Sequence, residues 1–382
     1  MHTAKIRILH VITGLSTGGA EMMLLKLMSA IDRDRYDCRV ISLTNNGPIG
    51  AQISALGIPV ISLGMRHGLP DPLGFIKLLK TLRKHQPDIV QTWLYHADLL
   101  GGLAAKMAGI PRVVWNIRHN NLAAGINKWH TRMTAQCCAW LSRWLADAII
   151  CNSRNSAVVH QAMGYETSLF HLIGNGFDLQ HFSIDPAAKP VLCRELKLAP
   201  EALLVGLVAR FDPQKDQCNF IAAARQIVSA CPAARFIMVG KAIDDSNKIL
   251  MDWINASGVA EHFHLLGERT DMPELMAAMD IVCSSSLGEG FPNAIGEAMS
   301  CGVPCVVTDV GDCADLLGDT GMVVPAADSR ALAAAIIVLL QAGEAQRRQQ
   351  GLLARQRITE YYSLAAIVRQ YEQLYSKLYA QH

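Results

Sequence analysis

Glu289 and Glu297 stand with seven residues between them in "SSLGEGFPNAIGEAMSCGVP" (284–303), flanking a glycine, a proline and an asparagine. Carboxylates beside a helix-opening loop would repel a bound phosphate, so their natural ligands are neutral groups such as sugar hydroxyls. The amides from Gly290 to Asn293 (Gly290, Phe291 and Asn293 around Pro292) are expected to face a ligand and receive its phosphate. Pro292 near the first helical turn fits that reading, because its missing N–H would go unused there. Glu297 can equally complement the helix macrodipole, whereas Glu289 lies outside the helix. Upstream, "VARFDPQKDQ" puts Arg210 at the carboxyl end of an apolar run and Lys215 five residues on. A planar guanidinium fork with a mobile ammonium suits a diphosphate; the same pair also reads as ordinary charge on a solvated loop.

The N-terminal "HVITGLSTGGAEMMLLKLM" reads as a strand ending near Ile12, a turn with glycines at 14, 18 and 19, and a helix from about Gly19. Amides at such a helix start can bind an anion, or the glycines can simply relieve a tight turn. The spacing is neither a Walker loop nor GxGxxG. The single Asp-x-Asp, Asp32 and Asp34 in "SAIDRDRYD", reads as a solvated turn, and no other cluster has metal-ligand spacing.

These groups need elements to carry them. Strands are expected at "IRILHVI", "CRVISL", "PVISL", "DIVQTW", "RVVWNI" and "AIICNS", with helices such as "GAEMMLLKLMSAI" and "DPLGFIKLLKTLRKH" between them. Runs apolar at every position imply strands buried on both faces, hence parallel sheets covered by helices. The stretch 178–200 loses this periodicity and gains prolines, as a joint would. The pattern restarts at "ALLVGLVAR", "ARFIMVG", "HFHLLG", "DIVCSSS" and "VPCVVTD". The expected architecture is α/β: two doubly wound Rossmann-like domains, 1–185 and 190–360, facing across a cleft, with a final helical segment, 361–382, returning to the first domain. Ligands of such sheets bind beyond the carboxyl ends of the strands.

The formal net charge of +2 divides into +8 for residues 1–190 and −6 for 191–382, so an anionic partner is expected for the first half. The segment "NKWHTRMTAQCCAWLSRWLADA" (127–148) reads as one helix in which Trp129, Trp140 and Trp144 accompany Lys128, Arg132 and Arg143. It suits either an anionic membrane surface or an ordinary core-packing helix with a basic edge. The N-terminus lacks the features of a secretion signal, and no apolar run approaches the ~18 residues of a membrane span. Eleven cysteines without a CxxC pair point to free thiols in a reducing, cytoplasmic setting.

Together, Arg210, Lys215 and "EGFPNAIGE", with "GLSTGGAE" and "IGNGFDLQHF" (173–182), resemble the family-4 retaining glycosyltransferases of the GT-B fold, closest to bacterial members that build surface polysaccharides and lipid-linked glycans. The resemblance implies transfer from a nucleotide-sugar, expected to be a UDP-sugar, to a glycan or lipid-linked acceptor. Arg210 and Lys215 would hold the diphosphate, Glu297 the ribose and Glu289 the transferred sugar, with Gly18, Gly19, Gly290, Phe291, Pro292 and Asn293 completing the cradle. Arg269, in "LLGERTDMPEL", would lie beside the base, and His119, in "WNIRHNN", near the reacting carbon. His96 and Glu21 fall to the acceptor side. No metal or other cofactor is expected, the departing phosphate itself helping to deprotonate the acceptor. "TDVGDCADLL" departs from the family pattern, with Asp312 after Gly311 where a second glycine is usual.

Other classes fit less well. A non-catalytic sugar-nucleotide or glycan-binding protein would not need the full Arg210, Lys215, Glu289 and Glu297 set, and a sugar-nucleotide epimerase of the same plan should not carry it. A nicotinamide dehydrogenase lacks its fingerprint, and nucleic-acid binding lacks a clustered basic stripe.

Overall fold

A computed structural model describes residues 5–66, 71–118 and 129–381. Near-continuous apolar runs become parallel strands in it because helices cover both of their faces. In the first half these are β1 (Ile6–Ile12), β2 (Tyr36–Ser42), β3 (Val60–Ser62), β4 (Ile89–Trp93), β5 (Arg112–Ile117), β6 (Ala148–Cys151) and β7 (Phe170–Leu172). They pair in the order β3-β2-β1-β4-β5-β6-β7, all parallel. All five β4 residues are buried, the polar Gln91 and Thr92 included.

The second half repeats the plan with β8 (Leu203–Val208), β9 (Ala234–Val239), β10 (Phe263–Leu265), β11 (Ile281–Ser284), β12 (Cys305–Thr308) and β13 (Met322–Val324). Their order is β10-β9-β8-β11-β12-β13. Each sheet therefore reverses direction once, between β1 and β4 in one and between β8 and β11 in the other. Such a reversal opens a crevice where ligands bind.

The chain divides into Met1–Gly176 with Leu364–His382, and Phe177–Ser363. The crossings fall at 176–177 and 363–364, against the 185–190 and 360–361 expected from sequence. The stretch expected to be an aperiodic joint contains a helix, Ala188–Glu195, whose Leu192 and Cys193 enter the core of the second unit. The last helix, Leu364–Ala380, belongs to the first unit, where Ile367, Tyr371 and Tyr375 join the core beside helix Gly19–Ala30. Among the described residues the aromatic segment is helix over Trp129–Leu145, so it ends three residues before the expected 148, where Ala148 begins β6. Asp147 explains the stop: it accepts from the Val113 N–H at 2.8 Å and pairs with Lys106 at 3.1 Å, which draws the chain to the sheet.

His10 lies fully buried in β1, its Nδ1 accepting from Trp93 Nε1 at 3.2 Å. Burial pushes its pKa from 6.5 down to about 3. The neutral ring is thus the folded form, and its stabilisation is complete above the unfolded pKa of ~6.5 and lost as pH falls from there toward 3. Acid titration should destabilise the first unit by up to ~1.4 kcal/mol per pH unit in this window. A His10→Asn variant should flatten the dependence in chemical melts followed by Trp fluorescence. Parallel pH profiles for the two proteins would refute this assignment.

Candidate functional site

The β8–β11 reversal holds a cavity of about 250 Å³, lined by the strand ends Leu207–Ala209 and Cys283–Ser286 and by Lys215, Glu289 and Phe291–Ile295. Lys215 arrives on a single helical turn, Pro213–Lys215, which Asp212 starts by accepting from the Gln214 N–H at 2.9 Å. Asp216 follows with φ 44° and caps helix Gln217–Ala230, so the chain bends sharply just past the lysine. Glu289 lies on the loop between β11 and helix Asn293–Ser300. Lys215 Nζ and Glu289 Oε1 meet at 2.5 Å, and both side chains are largely removed from solvent. Two of the four charges expected to act together therefore converge, across 74 residues of sequence.

Three serines at the end of β11 build the frame around this pair. Ser286 Oγ donates to Glu289 Oε1 at 2.7 Å, and Ser285 Oγ donates to the carbonyls of Lys215 and Asp216, each at 2.9 Å. Gly311 backs the glutamate: its φ is 55°, and a Cβ there would lie 2.1 Å from the Glu289 carbonyl oxygen. The glycine of the unusual Gly311–Asp312 pair is thus required by conformation and by close approach. Sequence reasoning passed over these serines, although "DIVCSSS" carries the signal: three hydroxyls at the carboxyl end of a buried strand.

The other expected donor residues are placed differently. Arg210 extends toward solvent, 61% exposed, and forks onto Asp212 Oδ2 at 3.0 and 2.8 Å. It is not among the cavity-lining residues; the carboxylate two positions on captures it, which spacing alone did not reveal. Burial raises the Asp212 pKa, but the Gln214 N–H and the Arg210 guanidinium outweigh this and hold it below the usual carboxylate range. Arg269 is gripped by Asp271 at 2.6 Å and by Glu195 at 2.6 Å, and both bonds push its pKa upward. It thereby ties helix Ala188–Glu195 to the start of helix Met272–Ala278. Glu297 sits half-buried on helix Asn293–Ser300, beyond the residues that line the cavity.

The expected run of open amides from Gly290 to Asn293 is corrected in part. Pro292 precedes the helix as its cap, and the Asn293 N–H donates to the Phe291 carbonyl at 3.0 Å. Ala294 and Ile295 also line the cavity, and first-turn amides have no acceptor four residues back within their helix. Ala294 and Ile295 thus join Phe291, Pro292 and Asn293 along the cavity, one and two positions beyond the expected run. Phe291 stacks on Phe177 with ring centres 6.1 Å apart, which fixes the loop.

In the first unit, helix Gly19–Ala30 begins where expected, with Gly18 as its cap. A Cβ at Gly18 would lie 2.4 Å from Glu21 Oε2, so this glycine makes room for the glutamate to fold over the helix start. Burial raises the Glu21 pKa. Gly19 has open space around the position of a Cβ. At the β1–β4 reversal, Leu94 adopts φ 74°, ψ 151°, a region that side chains avoid, and His96 follows two residues later with its ring centre 6.1 Å from that of His130. His119 lies outside the described residues. Asp32 and Asp34 sit on an exposed turn, the Asp34 N–H donating to Asp32 Oδ1 at 2.9 Å. Among the described residues no three His, Cys, Asp or Glu side chains gather at metal-binding spacing.

Comparison with known proteins agrees with this architecture. A family model described as Glycosyltransferase Family 4 matches residues 17–181, and one described as Glycosyl transferases group 1 matches residues 202–342. The UDP-Gal:alpha-D-GlcNAc-diphosphoundecaprenol alpha-1,3-galactosyltransferase of Escherichia coli is 26% identical over 322 residues, 80% of each chain. The N,N'-diacetylbacillosaminyl-diphospho-undecaprenol alpha-1,3-N-acetylgalactosaminyltransferase of Campylobacter jejuni is 24% identical over 298 residues, covering 75% of this chain and 77% of that one. The crystal structure of Anabaena HepE in complex with UDP superposes with a TM-score of 0.85 at 25% identity, covering 97% of this chain and all of that one.

The two sheets and their reversals define the GT-B fold. The chain belongs to the family-4, group 1 glycosyltransferases, and it is an enzyme of that class.

Proposed function

We propose that this enzyme moves a sugar from a UDP-sugar to a glycan or lipid-linked acceptor in cell-surface polysaccharide biosynthesis, with retention at the reacting carbon. The observation that carries the reading is the Lys215–Glu289 pair at the strand reversal, a cation and an acid at the mouth of two strand ends. HepE has been crystallised with UDP and with UDP-glucose, and the E. coli and C. jejuni relatives are named for diphospho-undecaprenol-linked acceptors.

Cleavage of the donor builds positive charge on the sugar and negative charge on the departing diphosphate. Lys215 and the amides at Ala294 and Ile295 would meet that negative charge, stabilising the transition state more than the bound donor. Arg210 would join them by exchanging Asp212 for phosphate. Glu289 would take sugar hydroxyls and Glu297 the ribose, while Arg269, braced by its two carboxylates, offers its planar face to the base. His119 stands for the group near the reacting carbon, Gly18 and Gly19 for further donor amides, and His96 and Glu21 for the acceptor side. Fixed positive charge around the leaving group fits a reaction without a metal. Incubating the protein with UDP-, GDP- and ADP-sugars should give thermal stabilisation and hydrolysis or transfer with one UDP-sugar, unchanged by EDTA. Stabilisation by none would reject the reading.

The membrane reading gains support from three helices that pack side by side, Pro72–His85, Tyr95–Ala108 and Trp129–Leu145. They expose Leu73, Ile76, Leu103, Met107, Trp140 and Trp144, with Lys77, Lys80, Arg83, Lys84, Arg132 and Arg143 among them. The one carboxyl these helices carry, Asp98, is buried. Apolar anchors among cations without exposed acids suit an anionic lipid surface. Among the described residues no helix is long and apolar enough to cross a membrane, so the contact would be peripheral. The protein should float with phosphatidylglycerol vesicles at low salt and be released by high salt or by Trp140→Ala with Trp144→Ala. Indifference to lipid charge and salt would argue against it.

A further inference from the structure

We propose that Ser286 is a positioning residue that holds the Glu289 carboxylate on the donor sugar when Lys215 is drawn to the diphosphate; this rests on the donor-site reading above. Lys215 Nζ and Ser286 Oγ reach the same carboxylate oxygen, Oε1, at 2.5 and 2.7 Å. A bound diphosphate competes with Glu289 for the ammonium, because a lysine head is a mobile point charge that follows the larger negative charge. A neutral hydroxyl feels no comparable pull. The Ser286 bond is therefore the one of these two that does not depend on where Lys215 points.

The surroundings keep this hydroxyl in place. Ser286 is 2% exposed, and its backbone carbonyl accepts from Thr308 Oγ1 at 2.7 Å. Ser284 Oγ lies 3.1 Å from Ser286 Oγ. A hydroxyl has one proton, and that of Ser286 goes to Glu289, so Ser284 donates to Ser286 and a relay runs from Ser284 through Ser286 to the carboxylate. The Lys215 loop is attached separately: Ser285 bonds its carbonyls, and the Leu287 N–H donates to the Gln214 carbonyl at 2.8 Å. The cation and the acid thus have independent supports, and only the acid's support ends on its side chain.

The experiment compares Ser286→Ala, Ser286→Thr and Ser284→Ala with the wild type by calorimetric titration with UDP and with the UDP-sugar that stabilises the wild type most, and by turnover of that sugar. Ser286→Ala should bind UDP within about twofold of wild type, bind the UDP-sugar more weakly than before relative to UDP, and lose roughly 10- to 100-fold in kcat, the range for a hydrogen bond to a charged group. Ser286→Thr should restore most of kcat, and Ser284→Ala should lose less than Ser286→Ala. Equal losses of UDP and UDP-sugar binding, or unchanged kcat in Ser286→Ala, would overturn the role. Should Ser286→Ala fail to fold, the UDP against UDP-sugar contrast in Ser284→Ala decides in the same way. A wild type that binds no UDP-sugar would overturn the donor reading itself and this role with it, which the wild-type titration distinguishes from a failure of Ser286 alone.

Discussion

Lys215→Ala is expected to reduce sugar transfer by about 10²- to 10³-fold, mostly in kcat, the range seen when one group stabilising developing charge is removed. The departing diphosphate would lose the ammonium that lies at the cavity, and Arg210, which is not among the cavity-lining residues and has its own proposed place on the phosphate, does not replace it. Stability should change little. Removing one member of a partly buried pair strands the other, but Glu289 keeps its bond from Ser286. A fall of about 2–4 °C in melting temperature is expected, the shift that ~1 kcal/mol produces in a unit of this size. Near-wild-type turnover in a folded Lys215→Ala protein would remove the lysine from the mechanism.

The second large effect has opposite signs in binding and turnover. Glu289→Gln keeps the shape and an oxygen to accept from Ser286, but it removes the negative charge that shares the Lys215 ammonium. UDP should then bind more tightly, by roughly two- to fivefold, the size of a partly screened ion pair worth up to ~1 kcal/mol. Sugar transfer should nevertheless fall by about 10²-fold, because the carboxylate that accepts the sugar's hydroxyl protons is gone. Tighter UDP with slower transfer separates two roles that a simple loss of folding would not. Weaker UDP binding would mean that Glu289 supports the diphosphate itself, and unchanged transfer would take it out of the sugar site.

Much of the fold is legible in local pattern because burial on two faces imposes apolar character at most positions of a strand. "IRILHVI" and "RVVWNI" coincide with β1 and β5 to the residue. The edge strands β7 and β13 escaped notice, whereas the equally short edge strands β3 and β10 lie within "PVISL" and "HFHLLG". Helix Ala188–Glu195 hid among prolines, and Pro190 is tolerated because it falls in the first turn. In the site, residue types and spacing pointed to Lys215, Glu289 and the loop before helix Asn293–Ser300. They did not reveal that Asp212 and Asp271 would engage the two arginines nearby, because a partner two residues away closes only when the backbone turns toward it.

The amino-acid sequence by itself determined that two parallel sheets would form, that one half would be basic and the other acidic, and which side chains could handle a phosphate and a sugar. Only the tertiary structure decided which of those side chains meet. Lys215 and Glu289 are brought together because β8 lies beside β11, an adjacency set by the order in which six strands stack. That order depends on packing across the whole unit, whereas periodicity records only whether each residue faces water or its neighbours.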